Sequence, residues 1–346
     1  MKMTKPTLTT DISIAQAERG HGRLIGYDLI RAVAILLVMV DHLSPRIPEG
    51  MQPSDSFFLL TKWLSASDAV LFFMLSGALL LPVGGSWRSF YSGRLKRIAL
   101  PLVIWSVAYA LINRWYYDWS TDFMFHQIKW LWFTPTFSPG WFLFTLAGIY
   151  LAMPVFTPWI QKATRRQLEL VIAIWLAAGA LPWLGYLDPG LPANQSIAGV
   201  FANFLGYALA GYYLSRYPLR LCSAAGAAIV ISGVVLPLAA FFIPNNAPVD
   251  AYLTDNMSIS VMAGGCIWFA AMLRCSKAPR WMAAVIRFIS RNAFGVYLIH
   301  TAVAMMLTRM IDSSISYTWL YLPVVTGISF LLSEVIRRIP YLNRIL

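Results

Sequence analysis

Residues 24–45 read LIGYDLIRAVAILLVMVDHLSP, an apolar run of spanning length that nevertheless carries Asp28, Arg31, Asp41 and His42. The ~30 Å hydrocarbon core of a bilayer requires about 20 such residues on a helix rising about 1.5 Å per residue. An ionisable group inside that run is costly and must face protein or water rather than lipid. This one stretch therefore gives both the solvent of the fold and its first candidate functional residues.

Working outward, nine more apolar segments of similar length follow, at 66–83, 98–116, 140–160, 168–186, 197–215, 221–243, 256–273, 288–311 and 317–336. The chain has 346 residues, 58% hydrophobic and 12% charged, with a mean hydropathy of +0.62. Soluble domains carry about 25% charged residues, so half the usual solvating charge is missing. The expected fold class is all-α, a polytopic transmembrane bundle of about ten spanning helices.

A net charge of +12 raises nucleic acid as a partner, but the placement of the charges argues against it. Of the basic residues, 21 fall in one alternating set of inter-segment stretches and five in the opposite set, with Arg31 inside the first span. Such asymmetry is the positive-inside signature. It predicts an even number of helices with both termini cytoplasmic, in an inner (cytoplasmic) membrane. Residues 1–23 lack an apolar h-region and read as a cytoplasmic tail rather than a signal peptide. Residues 24–340 form the expected membrane domain and 341–346 a cytoplasmic end. Cys222, Cys266 and Cys275 offer neither a disulfide framework nor a CxxC metal site, so no metal is expected. No low-complexity tract or short repeat is read, and one membrane domain without an appended soluble domain is expected.

Arg31 and His42 are 11 positions apart, which on a helix is about 1100°, three turns plus roughly 20°. They share one stripe, about 16 Å apart along the axis. The plainer alternative is a snorkelling arginine and a histidine satisfied by a carbonyl or interfacial water; the shared stripe counts against it. His300 is the second anomaly, near the middle of the ninth segment with Tyr297 one turn back. Its plainer role is a hydrogen-bonded tie between helices.

After the second span, Arg94 and Arg97 stand three apart, able to point together and clamp a polyphosphate; ordinary topological anchoring is the alternative. Between the third and fourth spans, Trp115 to Trp141 holds a concentration of aromatics that includes Trp130, Trp132 and Phe133. Aromatics gather at membrane interfaces, and flat rings also suit the C–H faces of sugars.

Taken together these pieces resemble acyltransferase family 3, integral membrane enzymes that move acyl groups onto sugars. The resemblance rests on Arg31-x(10)-His42, Phe72-Phe73-Met74-Leu75-Ser76-Gly77, Arg94-Leu95-Lys96-Arg97-Ile98-x-x-Pro101, Trp141-Phe142-Leu143 with Tyr150 and Pro154, and Tyr297-Leu298-Ile299-His300. These stand in family order across residues 31–300. The resemblance implies an O-acetyltransferase with acetyl-CoA as donor substrate, no permanently bound cofactor, and a surface or lipid-linked glycan as acceptor. Arg31, Arg94, Arg97 and Ser76 are then donor-side candidates. His42 is the candidate general base, because an imidazole accepts a proton at neutral pH. Arg31, Tyr297 and His300 are candidates to stabilise the oxyanion. Trp132, Trp141 and Asp68 are acceptor-side candidates, Asp68 also being an alternative to the poorly aimed Asp41 as partner of His42. Some family members carry an extra extracytoplasmic hydrolase-like domain; ending at Leu346, this chain is expected to act without one. Direct transfer and an acyl-histidine intermediate both stay open, as does self-association. The rival class is a ten-helix secondary transporter with Arg31, His42 and His300 in its pathway, and behind it a scaffold without chemistry.

Overall fold

The computed structural model describes residues 25–43, 63–131, 133–180, 203–217, 219, 224–235, 255–275, 277–311, 320–340 and 342. Among these the secondary structure is helical, without strands. In chain order the helices are α1 (Ile25–Leu43), α2 (Asp68–Leu80), α3 (Trp87–Tyr116), α4 (Thr121–Lys129), α5 (Trp141–Lys162), α6 (Arg165–Ala180), α7 (Leu205–Arg216), α8 (Ala224–Val230), α9 (Ile259–Leu273), α10 (Arg280–Met310) and α11 (Tyr321–Arg338). Every expected apolar segment overlaps one of them, and α4 is an additional short helix in the aromatic stretch.

Among the described residues, four helical stretches are long and apolar enough to cross a membrane: Trp63–Leu80, Trp87–Tyr116, Ser138–Lys162 and Arg280–Met310. Helix α1 is 19 residues long but falls outside that group. It holds Asp28, Arg31 and Asp41, the same residues that mark it chemically. The outer surface is apolar where solvent would meet a soluble protein: Val155 is 72% exposed and Leu331 65%. Apolar exposure on that scale identifies lipid as the solvent. The expected tail 1–23 lies outside the described residues.

Local chemistry sets the helix starts. Ser86, Ser120 and Ser258 are extended N-caps whose side chains accept the backbone N–H of Ser89, Phe123 and Val261, the usual remedy for orphan donors in a first turn. A 3-10 turn, Ser138–Gly140, places Pro139 directly before α5. That turn aims Trp141 and Phe142 inward at the head of the helix.

The bundle is tightest where α2 crosses α7. A Cβ added at Gly77 would lie 1.8 Å from the Ala208 carbonyl oxygen, and one at Gly211 1.9 Å from that of Met74. Only glycine permits backbones that close, a device typical of helix pairs in lipid. Helix α10 lies along α1, α3 and α11. The buried centre includes Ile30, Ile35, Phe73, Met74, Tyr207 and Leu298. Two long helices, α1 and α10, thus present their polar residues to each other inside an apolar shell.

Candidate active site

His42 and His300 are 258 positions apart, yet His42 Nδ1 lies 2.9 Å from His300 Nε2. The ring planes differ by 4° and the centroids are 5.1 Å apart. With the nitrogens so close, the rings lie edge to edge in nearly one plane, the in-line arrangement for an N–H aimed at a lone pair.

The proton positions follow from the partners. His300 Nδ1 sits 2.7 Å from the Tyr297 carbonyl oxygen and 3.2 Å from that of Val296. Carbonyls only accept, so His300 carries its proton on Nδ1. The residue is fully buried, and a second proton would make an uncompensated cation there. Its Nε2 is therefore a lone pair. That lone pair receives His42 Nδ1–H, and the Thr301 hydroxyl lies 3.2 Å from it as a second donor. His42 then keeps its own lone pair on Nε2, with the side chain 30% exposed. A backbone carbonyl in α10 thus fixes the tautomer of a ring on α1.

The turn of α10 that carries His300 is itself unusual. The buried Tyr109 hydroxyl donates to the Leu298 carbonyl at 2.8 Å and accepts the Ala302 N–H at 3.0 Å. These two backbone groups are i and i+4, so a side chain from α3 is inserted into the helical ladder around His300. Tyr109 is stacked on Phe137 (centroids 4.4 Å, planes 9°), which locks the insertion in place.

At the other end of α1, Arg31 Nη1 donates to Ser290 Oγ at 3.2 Å and lies 3.5 Å from Asp28 Oδ1. Ser290 Oγ donates to the same Asp28 oxygen at 2.7 Å. The buried carboxylate holds the guanidinium in place while 29% of the Arg31 side chain remains exposed.

Two cavities open beside these groups. The first, about 220 Å³, is lined by Arg31, Phe72, Leu75, Ser76, Leu79, Leu80, Arg94, Phe142, Leu146, Tyr150, Ala293, Phe294 and Tyr297. Within it Ser76 Oγ and Tyr150 OH are 3.5 Å apart. The second, about 200 Å³, is lined by Val38, Asp41, His42, Ala66, Asp68, Ala69, Pro139, Trp141, Phe142, Asn256 and Tyr297. Phe142 and Tyr297 line both.

The expected residues sort cleanly between them. Arg31, Ser76 and Arg94 meet in the first cavity; His42, Asp68 and Trp141 meet in the second; Tyr297 touches both. Arg97, one turn beyond Arg94, is exposed and lines neither. Trp132 lies outside the described residues. Most of the expected aromatic platform points outward, Phe125 and Phe133 being 60% and 74% exposed. Asp68 Oδ1 accepts the Ala69 N–H. Asp41 Oδ1 accepts from Ser65 at 3.2 Å, and its other oxygen is 3.8 Å from His42 Nε2, beyond hydrogen-bond length. Within hydrogen-bond length of His42 Nδ1 stands His300 Nε2. Tyr297 was expected beside His300 on one face; it is its carbonyl that His300 binds, while its hydroxyl donates to the Pro139 carbonyl.

Sequence reasoning missed Tyr109, Thr301, Ser290 and Asn256. Asp28 and Ser290 had a readable signal: Asp28 is one turn from Arg31, and Ser290 is polar in an apolar segment. Tyr109 and Asn256 had none beyond their polarity.

The order of these residues along the chain now has an external counterpart. Comparison with curated proteins and with solved structures finds no match. A family model described as an acyltransferase domain, that of acyltransferase family 3, matches residues 24–338. The match takes in every helix that walls the two cavities, from Arg31 on α1 to Tyr297 on α10, and the chain belongs to acyltransferase family 3.

Proposed function

We propose that this membrane acyltransferase is an O-acetyltransferase of the inner membrane that takes its acetyl group from cytoplasmic acetyl-CoA and places it on a glycan hydroxyl. In this reading ten helices cross the bilayer and both termini are cytoplasmic; the 21-to-5 distribution of basic residues supports that orientation. Helix α1 then runs outward, so the arginine cavity faces the cytoplasm and the histidine cavity the outside.

One observation carries the reading: the base and the arginines line two cavities that meet at one wall, Phe142 and Tyr297. A thioester on a long, thin pantetheine arm can reach that wall while its phosphates stay with Arg31 and Arg94. Guanidinium suits phosphate because it is planar, permanently charged and bidentate. The acceptor hydroxyl enters from the other side, beside Trp141, Asp68 and His42.

The chemistry then balances in one transfer. The hydroxyl oxygen attacks the thioester carbonyl carbon as its proton passes to His42 Nε2. The tetrahedral oxyanion needs a donor. Tyr297 is the candidate that lines both cavities; its O–H would have to turn from the Pro139 carbonyl to the oxyanion, while the nitrogens of His300 are both engaged. Collapse breaks the C–S bond, and the proton on His42 passes to the leaving sulfur, giving the acetyl ester and free CoA thiol.

Sealed inside-out vesicles test the reading. Glycan is loaded in the lumen and labelled acetyl-CoA supplied outside. Label on lumenal glycan, with thiol release outside, is the expected result; no label on glycan on either side would overturn it. A second expectation separates the two arginines. Arg94→Ala should raise the acetyl-CoA KM by about tenfold or more, the worth of one charge-assisted hydrogen bond. Arg97→Ala, removing an exposed side chain, should change it less than about threefold. Equal effects would return the loop to simple anchoring.

A further inference from the structure

We infer, building on the reaction just proposed, that the Phe142 ring is the gauge that sets the size of the acyl group this enzyme accepts. Among the described residues the two cavities share Phe142 and Tyr297, so a thioester carbon approached from one side by the arm and from the other by the hydroxyl sits against these rings. The acyl tail beyond that carbon then has to fit beside them.

The two rings are held differently. Tyr297 is anchored by its hydroxyl to the Pro139 carbonyl, and its own carbonyl holds His300. Phe142 is 6% exposed and packed in the apolar core, with ring centroids 4.9 Å from Phe73, 5.2 Å from Tyr297 and 5.7 Å from Phe72. Its size can be changed without orphaning a polar group, and the space it would vacate is lined by apolar side chains. The arginine cavity that it lines is also lined by Leu75 and Leu146, side chains beside which added methylenes are welcome once there is room. An apolar pocket separates substrates differing by one methylene by roughly 10–200-fold. A wall made of a phenyl ring can therefore set acetyl apart from longer acyl groups without any polar recognition.

The test needs no acceptor. The full chain, in lipid nanodiscs, is titrated with acetyl-CoA and with butyryl-CoA, and the ratio of the two dissociation constants is compared between wild type and variants. Phe142→Ala is expected to shift that ratio toward butyryl-CoA by at least about tenfold. Phe142→Leu, which keeps an apolar side chain and carries the test if the alanine variant does not assemble, should shift it in the same direction by a smaller factor. The same preparations, without glycan, should also release thiol from acetyl-CoA faster than wild type, because water from the histidine cavity gains a path to the thioester. An unchanged ratio in folded variants, with wild type binding acetyl-CoA normally, overturns the gauge and leaves the proposed reaction standing. Failure of wild type to bind either thioester overturns the proposed reaction and the gauge with it.

Discussion

His42→Ala is expected to lower acyl transfer by about 10²–10⁴-fold, the usual cost of removing a general base, with protein in the membrane near the wild-type level. The size of the effect follows from how completely the geometry commits this ring. Its Nδ1 is directed at His300, and the ring lines the cavity shared with Asp68 and Trp141. The neutrality of the change for folding follows from the same geometry. His42 is in the last turn of α1, its side chain 30% exposed, so little packing is lost. His300 Nε2 keeps the Thr301 hydroxyl as a neighbour, so no buried acceptor is orphaned. Transfer rates are measured beside quantified membrane protein. Near-wild-type transfer by the alanine variant would remove His42 from the reaction.

The sequence makes the class of this fold plain because a bilayer leaves few options. Backbone groups in lipid must be satisfied within a helix or a closed barrel, so long apolar runs and a biased charge distribution are nearly sufficient. Helix α1 is the instructive exception. Of the charged residues that make it fall short as a hydrophobic span, Arg31 and Asp41 line the cavities and Asp28 holds Arg31, and rule-breaking of that kind is what a functional helix looks like. Arg31 and His42 were legible because they lie on one helix, where spacing is geometry. Their separation into two cavities was not, since it depends on Phe142 arriving from α5 and Tyr297 from α10. Spacing misled at Arg94 and Arg97: three residues apart on α3 they share a face, yet only Arg94 is close enough to α1, α2 and α5 to be walled in. The pairing of His42 with His300 spans 258 positions and has no local signature. Neither has the insertion of Tyr109 into the α10 ladder, because one tyrosine in an apolar segment reads the same whether it is lipid-facing or structural.

The tautomer chain gives the most discriminating expectation. His300 lines neither of the two cavities and is a positioning residue, acting on the reaction through the ring of His42. His300→Leu fills most of the same buried volume but offers neither a donor for the Tyr297 carbonyl nor an acceptor for His42 Nδ1–H. His42 then loses the acceptor that fixes its Nδ1–H, and its ring is no longer aimed by His300. Loss of an imidazole's orienting partner has cost about 10⁴ in kcat in a serine protease triad, and partners behind metal-bound histidines cost about 10–100-fold. A fall in kcat of about 100-fold is expected here, with the KM for acetyl-CoA unchanged because the arginine cavity is untouched. His300→Gln separates orientation from mere support. Its amide N–H can donate to the carbonyl and its amide oxygen can accept from His42, reproducing both ends of the chain of hydrogen bonds. It should retain activity within about tenfold of wild type. If leucine and glutamine lose activity equally, or if KM for acetyl-CoA rises in step with the loss, His300 is a structural tie between α1 and α10 and the proton on His42 is placed by something else.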